Sequence, residues 1–264
     1  MKKDRKWWGT SELAADQILH WEIGPFRLWL QRLETEYRLA HTIDDDLASN
    51  QVTCCQTVED LDLLTMDNSV RFALAKTVER VELTPALADR PVVARPEKPL
   101  IIPPGESLHL FVHSPLWLKL TAGKKQIPLV AMPLLRPSDT WFGPSTREGE
   151  LCYASRSFFQ LRLDELPYHP HRASTSVHLH NRTSSALALE RVQLPVKHLG
   201  LFSDPEGRLW TEEVTLVRDK ATDFASVTFK ESSPIKNSKL QRVSAARETT
   251  GGNIVLRAFS SLFA

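Results

Sequence analysis

The sequence predicts an all-β fold of antiparallel, sandwich-like sheets, arranged as one or two packed β subdomains with a short amphipathic helix at the C terminus. Three observations carry the prediction. Seventeen prolines and ten glycines cut the 264 residues into short segments. Many of those segments alternate apolar and polar side chains with period two, the repeat of a strand that buries one face. Before the C terminus no stretch of helix length carries a clean 3.6-residue repeat.

Taken in order, Trp7, Trp8, Trp21 and Trp29 make the N-terminal portion rich in indoles, which bring large apolar areas to a core. Phe26, Leu28 and Leu30 share one side of a strand against Arg27 and Gln31, and Tyr37 and Leu39 alternate with Arg38. Residues 20–43 therefore read as a hairpin turning at Glu34–Glu36. Asp44, Asp45 and Asp46 lack the glycine turn and closing glutamate of a calcium loop, so a solvated loop is expected there. Val58 to Leu64 has the spacing of a short helix. Strands resume at Phe72–Leu74 and Val78–Leu83, broken by Pro91, Pro96 and Pro99. Leu100–Ile102, a Pro103-Pro-Gly-Glu106 turn and Leu108–Val112 follow as strand, turn and strand. Leu116, Leu118 and Leu120 mark the next strand, and Gly123 turns it into 127–135. Val177 and Leu179 face inward if His178 and His180 face water, and the chain returns through Leu187 and Leu189. Further strands are expected at 192–196, 198–202, 209–218 and 224–229.

These elements suggest a Trp-rich β subdomain over 1–95 and a β-sandwich domain over 96–229. Residues 230–252 are polar and read as a linker. In 253–264, Val255, Leu256, Phe259, Leu262 and Phe263 fall within roughly a third of a helical circumference, at about 100° per residue, behind an Asn253 N-cap. Such a tethered peptide suits docking on a protein partner, a second copy or the chain's own core, with Val255, Phe259, Leu262 and Phe263 as the contacting residues.

Composition narrows the function. With 33 basic and 32 acidic residues the net charge is +1, which gives no general field for nucleic acid. No apolar run reaches the roughly 20 residues of a membrane span, though peripheral membrane contact is compatible with the amphipathic tail. Three cysteines, Cys54, Cys55 and Cys152, cannot form a disulfide framework and fit a reducing, cytoplasmic setting. Adjacent Cys54 and Cys55 read as small apolar residues, and Cys152 has no neighbouring histidine to make it a nucleophile. His169, His171, His178 and His180 form two His-x-His pairs that could serve a metal-dependent enzyme, but no carboxylate is placed by spacing to close a site. Ser138–Ser145, with Trp141, Phe142 and a Gly-Pro turn, reads as either a ligand lip or a plug over the core. No nucleotide-binding glycine motif and no nucleophile elbow occurs. No catalytic, metal or cofactor residue is assigned. The function that remains is a non-catalytic binding or accessory module engaging a protein partner; a metal-dependent enzyme using His169–His180, or a carbohydrate or small-ligand binder using exposed tryptophans, stand as alternatives.

Trp7-Trp-Gly9, Trp21-x-Ile-Gly-Pro25, Asp139-Thr-Trp-Phe-Gly143 and Gly149-Glu-Leu-Cys-Tyr153 resemble segments of an uncharacterised prokaryotic family of unknown function, over residues 7–218. The resemblance implies no activity, cofactor or catalytic residue, and it raises a membrane-adjacent setting.

Overall fold

The computed structural model describes residues 5–59, 61–230, 239–249 and 254–260. They form strands in curled sheets, joined by turns and short 3-10 segments, so the all-β expectation holds. Two compact units divide the chain. The first takes the chain up to Ala86 with Leu116–Leu135 and Tyr168–His171; the second takes Leu87–Pro115, Arg136–Pro167 and the chain from Arg172 onward. Composition suggests a boundary near residue 95. Each unit gathers segments distant in sequence, brought together by strand pairing, which composition does not register.

In the first unit lie β1 (Gly9–Glu12), β2 (Ile18–Ile23), β3 (Phe26–Arg32), β4 (Glu36–Ile43), β5 (Val52–Val58), β6 (Ser69–Ala73) and most of β7 (Arg80–Leu87). The order β5-β2-β3-β4-β6 is an antiparallel sheet, and β1 pairs with β7. Leu19, Leu30 and Leu39 share one cross-strand row and are almost fully buried. Phe26, Leu28 and Tyr37 bury the same face, as their period-two spacing requires. On the other face Ile18 and Ala40 are covered by Leu63, with Trp29 packed against them. The short helix expected over 58–64 reduces to a 3-10 turn, Leu63–Thr65, whose first turn is capped by Asp62. Cys54 and Cys55 are correspondingly not core residues: β5 is a sheet edge, and Cys55 takes φ +57° where the ladder with β2 slips register.

Gly24, between β2 and β3, shows why one quoted motif needs glycine. Its φ is +59°, and a Cβ there would lie 2.5 Å from His171 Nδ1 and 2.8 Å from the Ser49 carbonyl. Trp7, 1% exposed, donates its indole N–H to the Pro170 carbonyl at 3.0 Å. Trp7 and Gly24 thus serve to seat the Tyr168–His171 segment.

The remaining strands are β8 (Val92–Arg95), β9 (Leu100–Ile102), β10 (Ser107–Ala122), β11 (Ile127–Pro133), β12 (Ser138–Phe142), β13 (Glu150–Phe158), β14 (Arg172–Asn181), β15 (Leu187–Leu189) and β16 (Arg191–Leu194). After them come β17 (Leu201–Ser203), β18 (Leu209–Thr211), β19 (Glu213–Arg218), β20 (Phe224–Lys230), β21 (Gln241–Ser244), β22 (Ile254–Arg257) and β23 (Phe259–Ser260). The ladder of β10 with β14 runs from Ser107 to Pro115. The Leu116 N–H still donates to the His171 carbonyl at 3.1 Å, and from Trp117 onward β10 pairs with β11. Within the second unit β14 also pairs in parallel with β18 and β19, and β19, β20 and β22 continue antiparallel. A separate sheet has the order β12-β13-β8-β16-β23, in which β8 and β13 run parallel and the other pairs antiparallel.

The C-terminal helix is not what forms. Ile254–Arg257 and Phe259–Ser260 are strands that complete edges left by β20 and β16. Those edges offer backbone hydrogen bonds that an isolated short helix cannot match. Part of the expected linker is likewise structured: Gln241–Ser244 pairs with β17, and Arg247 donates to the Leu87 carbonyl at 2.7 Å.

Candidate functional site

The sheet β12-β13-β8-β16 builds a cleft of about 540 Å³ within the second unit. Its construction begins at the hairpin that carries two of the quoted motifs. Gly143 and Gly149 let β12 and β13 close on each other: a Cβ on Gly143 would lie 2.0 Å from the Glu148 carbonyl, and one on Gly149 would lie 2.9 Å from Gly143 Cα. Trp141 Nε1 donates to the Ser145 carbonyl across the loop at 2.7 Å. Phe142, Cys152 and Val93 pack together beneath the hairpin. The pattern along β12 then points Ser138 and Thr140 into the cleft. The Ser138–Ser145 segment is therefore in part a wall and in part a plug.

Opposite, the ladder between β13 and β8 shifts register from Ala154 to Phe158. Arg156 sits in this bulge with φ +56°, an unusual conformation for a residue with a Cβ. Bulges re-aim side chains, and this one turns Arg156 into the cleft lining beside Ser155 and Ser157. Arg172, behind the bulge, donates to the Ser155 carbonyl at 2.7 Å and to Ser157 Oγ at 3.3 Å. Burial, with the charge of Arg156, pushes the Arg172 pKa down. The Ser155 hydroxyl donates to the His113 carbonyl at 2.8 Å. The bulge is thus held in shape by groups outside the lining.

Arg191 at the start of β16 donates to the Trp141 carbonyl at 2.6 Å and to Thr140 Oγ1 at 3.3 Å, and its guanidinium lies 5.1 Å from the Phe142 ring centroid. Arg95, opposite Phe158 in the ladder, lies 5.7 Å from that ring. Arg95, Arg156 and Arg191 all line the cleft, with Glu190 as the carboxylate among its described lining residues. Among the described residues none of Arg95, Arg156, Arg172 and Arg191 forms an ion pair. Each guanidinium has five N–H donors, so the bonds named leave donors for a ligand.

Cys152 is buried below this site. Desolvation, with the charge of Glu150, pushes its thiol up to about 12, so it stays protonated.

The four histidines weighed as metal ligands have separate surroundings within their own units. His169 and His171 belong to the first unit and His178 and His180 to the second. His178 does face outward from β14 while Val177 and Leu179 are buried, as expected. Its neighbour is instead His109 of β10, stacked on it at 4.0 Å, and its Nε2 lies 3.3 Å from Glu213. His180 Nδ1 is 2.7 Å from the Ser107 hydroxyl. Among the described residues no group of three His, Cys, Asp or Glu is placed to hold a metal ion.

Of the residues read as partner-binding, Phe259 is 1% exposed, paired opposite Val192 in the protein's own sheet, whereas Val255 is 71% exposed on the edge strand β22. Leu262 and Phe263 lie outside the described residues. Among the exposed tryptophans sought for a ligand, Trp141 is 41% exposed, next to the arginine cleft. No helix among the described residues is long and apolar enough to cross a membrane.

The model of a family described as a protein of unknown function, DUF432, matches residues 7–263, and the chain belongs to that family. The match extends past residue 218 to take in β20–β23. No curated protein and no solved structure matches the chain.

Proposed function

We propose that this protein is a non-catalytic, sandwich-like β module that binds an anionic ligand in the β12-β13-β8-β16 cleft. One observation carries the reading: Arg95, Arg156 and Arg191 converge on a space of about 540 Å³ with no carboxylate paired to any of them among the described residues. Three guanidiniums against Glu190, the carboxylate among the described lining residues, leave an excess of positive charge, and a phosphate or carboxylate seated among them offsets it through bidentate, charge-assisted hydrogen bonds. Ser138, Thr140 and Ser157 supply neutral partners for the remaining oxygens. The volume is that of a small-molecule site. A binding rather than catalytic role is supported by the way the reactive groups are engaged. The Ser155 hydroxyl is bonded to a carbonyl, and the Cys152 thiol is held protonated.

Titration calorimetry of the full chain with inorganic pyrophosphate tests this. One saturable site is expected, lost in the double variant Arg156→Ala, Arg191→Ala. Absence of saturable binding, or binding indifferent to both substitutions, would overturn the reading.

A further inference from the structure

We infer that the anion is the phosphate chain of a nucleotide, whose base packs against Phe158. This rests on the anionic-ligand reading and goes on to name the rest of the ligand.

The argument starts from what adjoins the arginines. Phe158 ends β13 just past the bulge, and 42% of its surface remains exposed. What sets this ring apart from other part-exposed apolar side chains is that it borders the arginine cleft, with the Arg95 guanidinium 5.7 Å from its centroid. Phe158 also lines a second hollow of about 450 Å³, which continues along Pro96, Leu100 and Leu161. Leu161 is 44% exposed beside it, and Glu97, Lys98, Arg162 and Glu165 complete a mixed lining. Two hollows that share one aromatic side chain make an extended site with unlike ends. One end is cationic and rich in hydroxyls; the other sets an aromatic and aliphatic floor among paired charges.

A bare phosphate, sulfate or small carboxylate fills only the first end. A sugar phosphate reaches further but brings hydroxyls, not a flat apolar face, to Phe158. A nucleotide matches both ends: phosphates for Arg156 and Arg191, and a heteroaromatic ring for Phe158. Arg95 stands opposite Phe158 in the ladder, so its guanidinium flanks the point where the two ends meet. Glu97, Lys98 and Gln160 border the second hollow and supply acceptors and donors to a base edge. The same features select against a nucleic acid strand, because the basic lining is confined to one cleft and the chain has a net charge of only +1.

The experiment compares ADP, ribose 5-phosphate and inorganic pyrophosphate by calorimetry on the full chain, with EDTA present so that the arginines alone meet the phosphates. Stacking of a base on an aromatic ring is expected to make ADP bind about tenfold or more tighter than pyrophosphate. Phe158→Ala should erase that advantage, and Phe158→Tyr should retain it, each read as the ratio of ADP to pyrophosphate affinity on the same variant. Saturable pyrophosphate binding by Phe158→Ala verifies that the variant is folded; if it is lost, Phe158→Leu, which keeps the apolar volume, replaces it. ADP binding no tighter than pyrophosphate, or an advantage that survives loss of the ring, overturns the nucleotide inference and leaves the anionic-ligand reading intact. If neither compound binds, both fall together.

Discussion

Arginine is used in opposite ways at one place in each of the two units. In the first, Glu36 receives Arg38 Nε at 2.7 Å and Arg71 Nε at 2.8 Å, and the carboxylate is 8% exposed. Those two bonds hold the Glu36 carboxyl below the usual carboxylate range, Arg71 contributing the most. Charge there is closed on itself and serves the sheet. In the second, Arg95, Arg156 and Arg191 surround open space, and the groups behind them, Arg172 above all, hold backbone rather than counter-charge. Neutralised arginines report structure. Arginines that outnumber the cleft's described carboxylate, one of them Arg156 with a positive φ, point to something to be bound.

The comparison is sharpened most by Arg156→Ala. Removing one charge-assisted contact should weaken pyrophosphate binding by about 10- to 100-fold. Calorimetry measures the affinity, and the thermal midpoint should stay the same or rise, since a positive charge next to Arg172 is gone. A fall in midpoint with affinity intact would make Arg156 structural and erase the contrast. Gly24→Ala is the reverse case. Its Cβ would meet His171 and Ser49, and φ is positive, so denaturant unfolding should show a loss of about 1–3 kcal/mol with pyrophosphate affinity unaltered.

Arg172→Met should fall between the two. The bulge loses the donor to Ser155 and Ser157, so affinity drops several-fold although Arg172 is not in the lining, and stability drops as well. Arg172→Lys, with a single point charge in place of the planar fork, should restore little of either.

Two smaller effects depend on pH. Because the folded Glu36 carboxyl lies below its unfolded value, its contribution is complete above the ordinary carboxylate range and is lost as pH falls through the folded value. Glu36→Gln should lower the thermal midpoint at neutral pH and flatten the acid limb of midpoint against pH. His41 stacks on Phe26, and burial lowers its folded pKa. The unfolded chain therefore takes up a proton first, and this residue weakens the fold as pH falls through the ordinary imidazole value of about 6.5 toward the lower folded one. His41→Phe should reduce the slope of midpoint against pH in that window.

Much of the scaffold was legible in the sequence, and for one reason. Phe26, Leu28 and Leu30 announce their buried face by spacing alone, and Val177 and Leu179 do the same for β14. The C-terminal segment was not, because a run as short as Ile254–Phe259 fits a helical arc and a strand about equally well; the free edges of β20 and β16 decide it, and they are invisible locally. The cleft was the least legible. Arg95, Arg156 and Arg191 lie on separate strands, brought together by the parallel β8–β13 pairing that no local pattern encodes. A partial signal did exist in Ser155-Arg-Ser157, a cation between hydroxyls inside a strand with no acid opposite. The motif Asp139-Thr-Trp-Phe-Gly143 pointed to the right hairpin without revealing what it walls.

The position of β8 in its sheet has a consequence for biosynthesis. Val92–Arg95 emerges early, yet both strands that flank it, β13 and β16, are translated much later. Until then two hydrogen-bonding edges of an apolar segment stand open, a hazard for association with other nascent chains. Fragments ending before Leu194 should accumulate as insoluble material, and tight retention of a ligand would certify that the late partners had arrived.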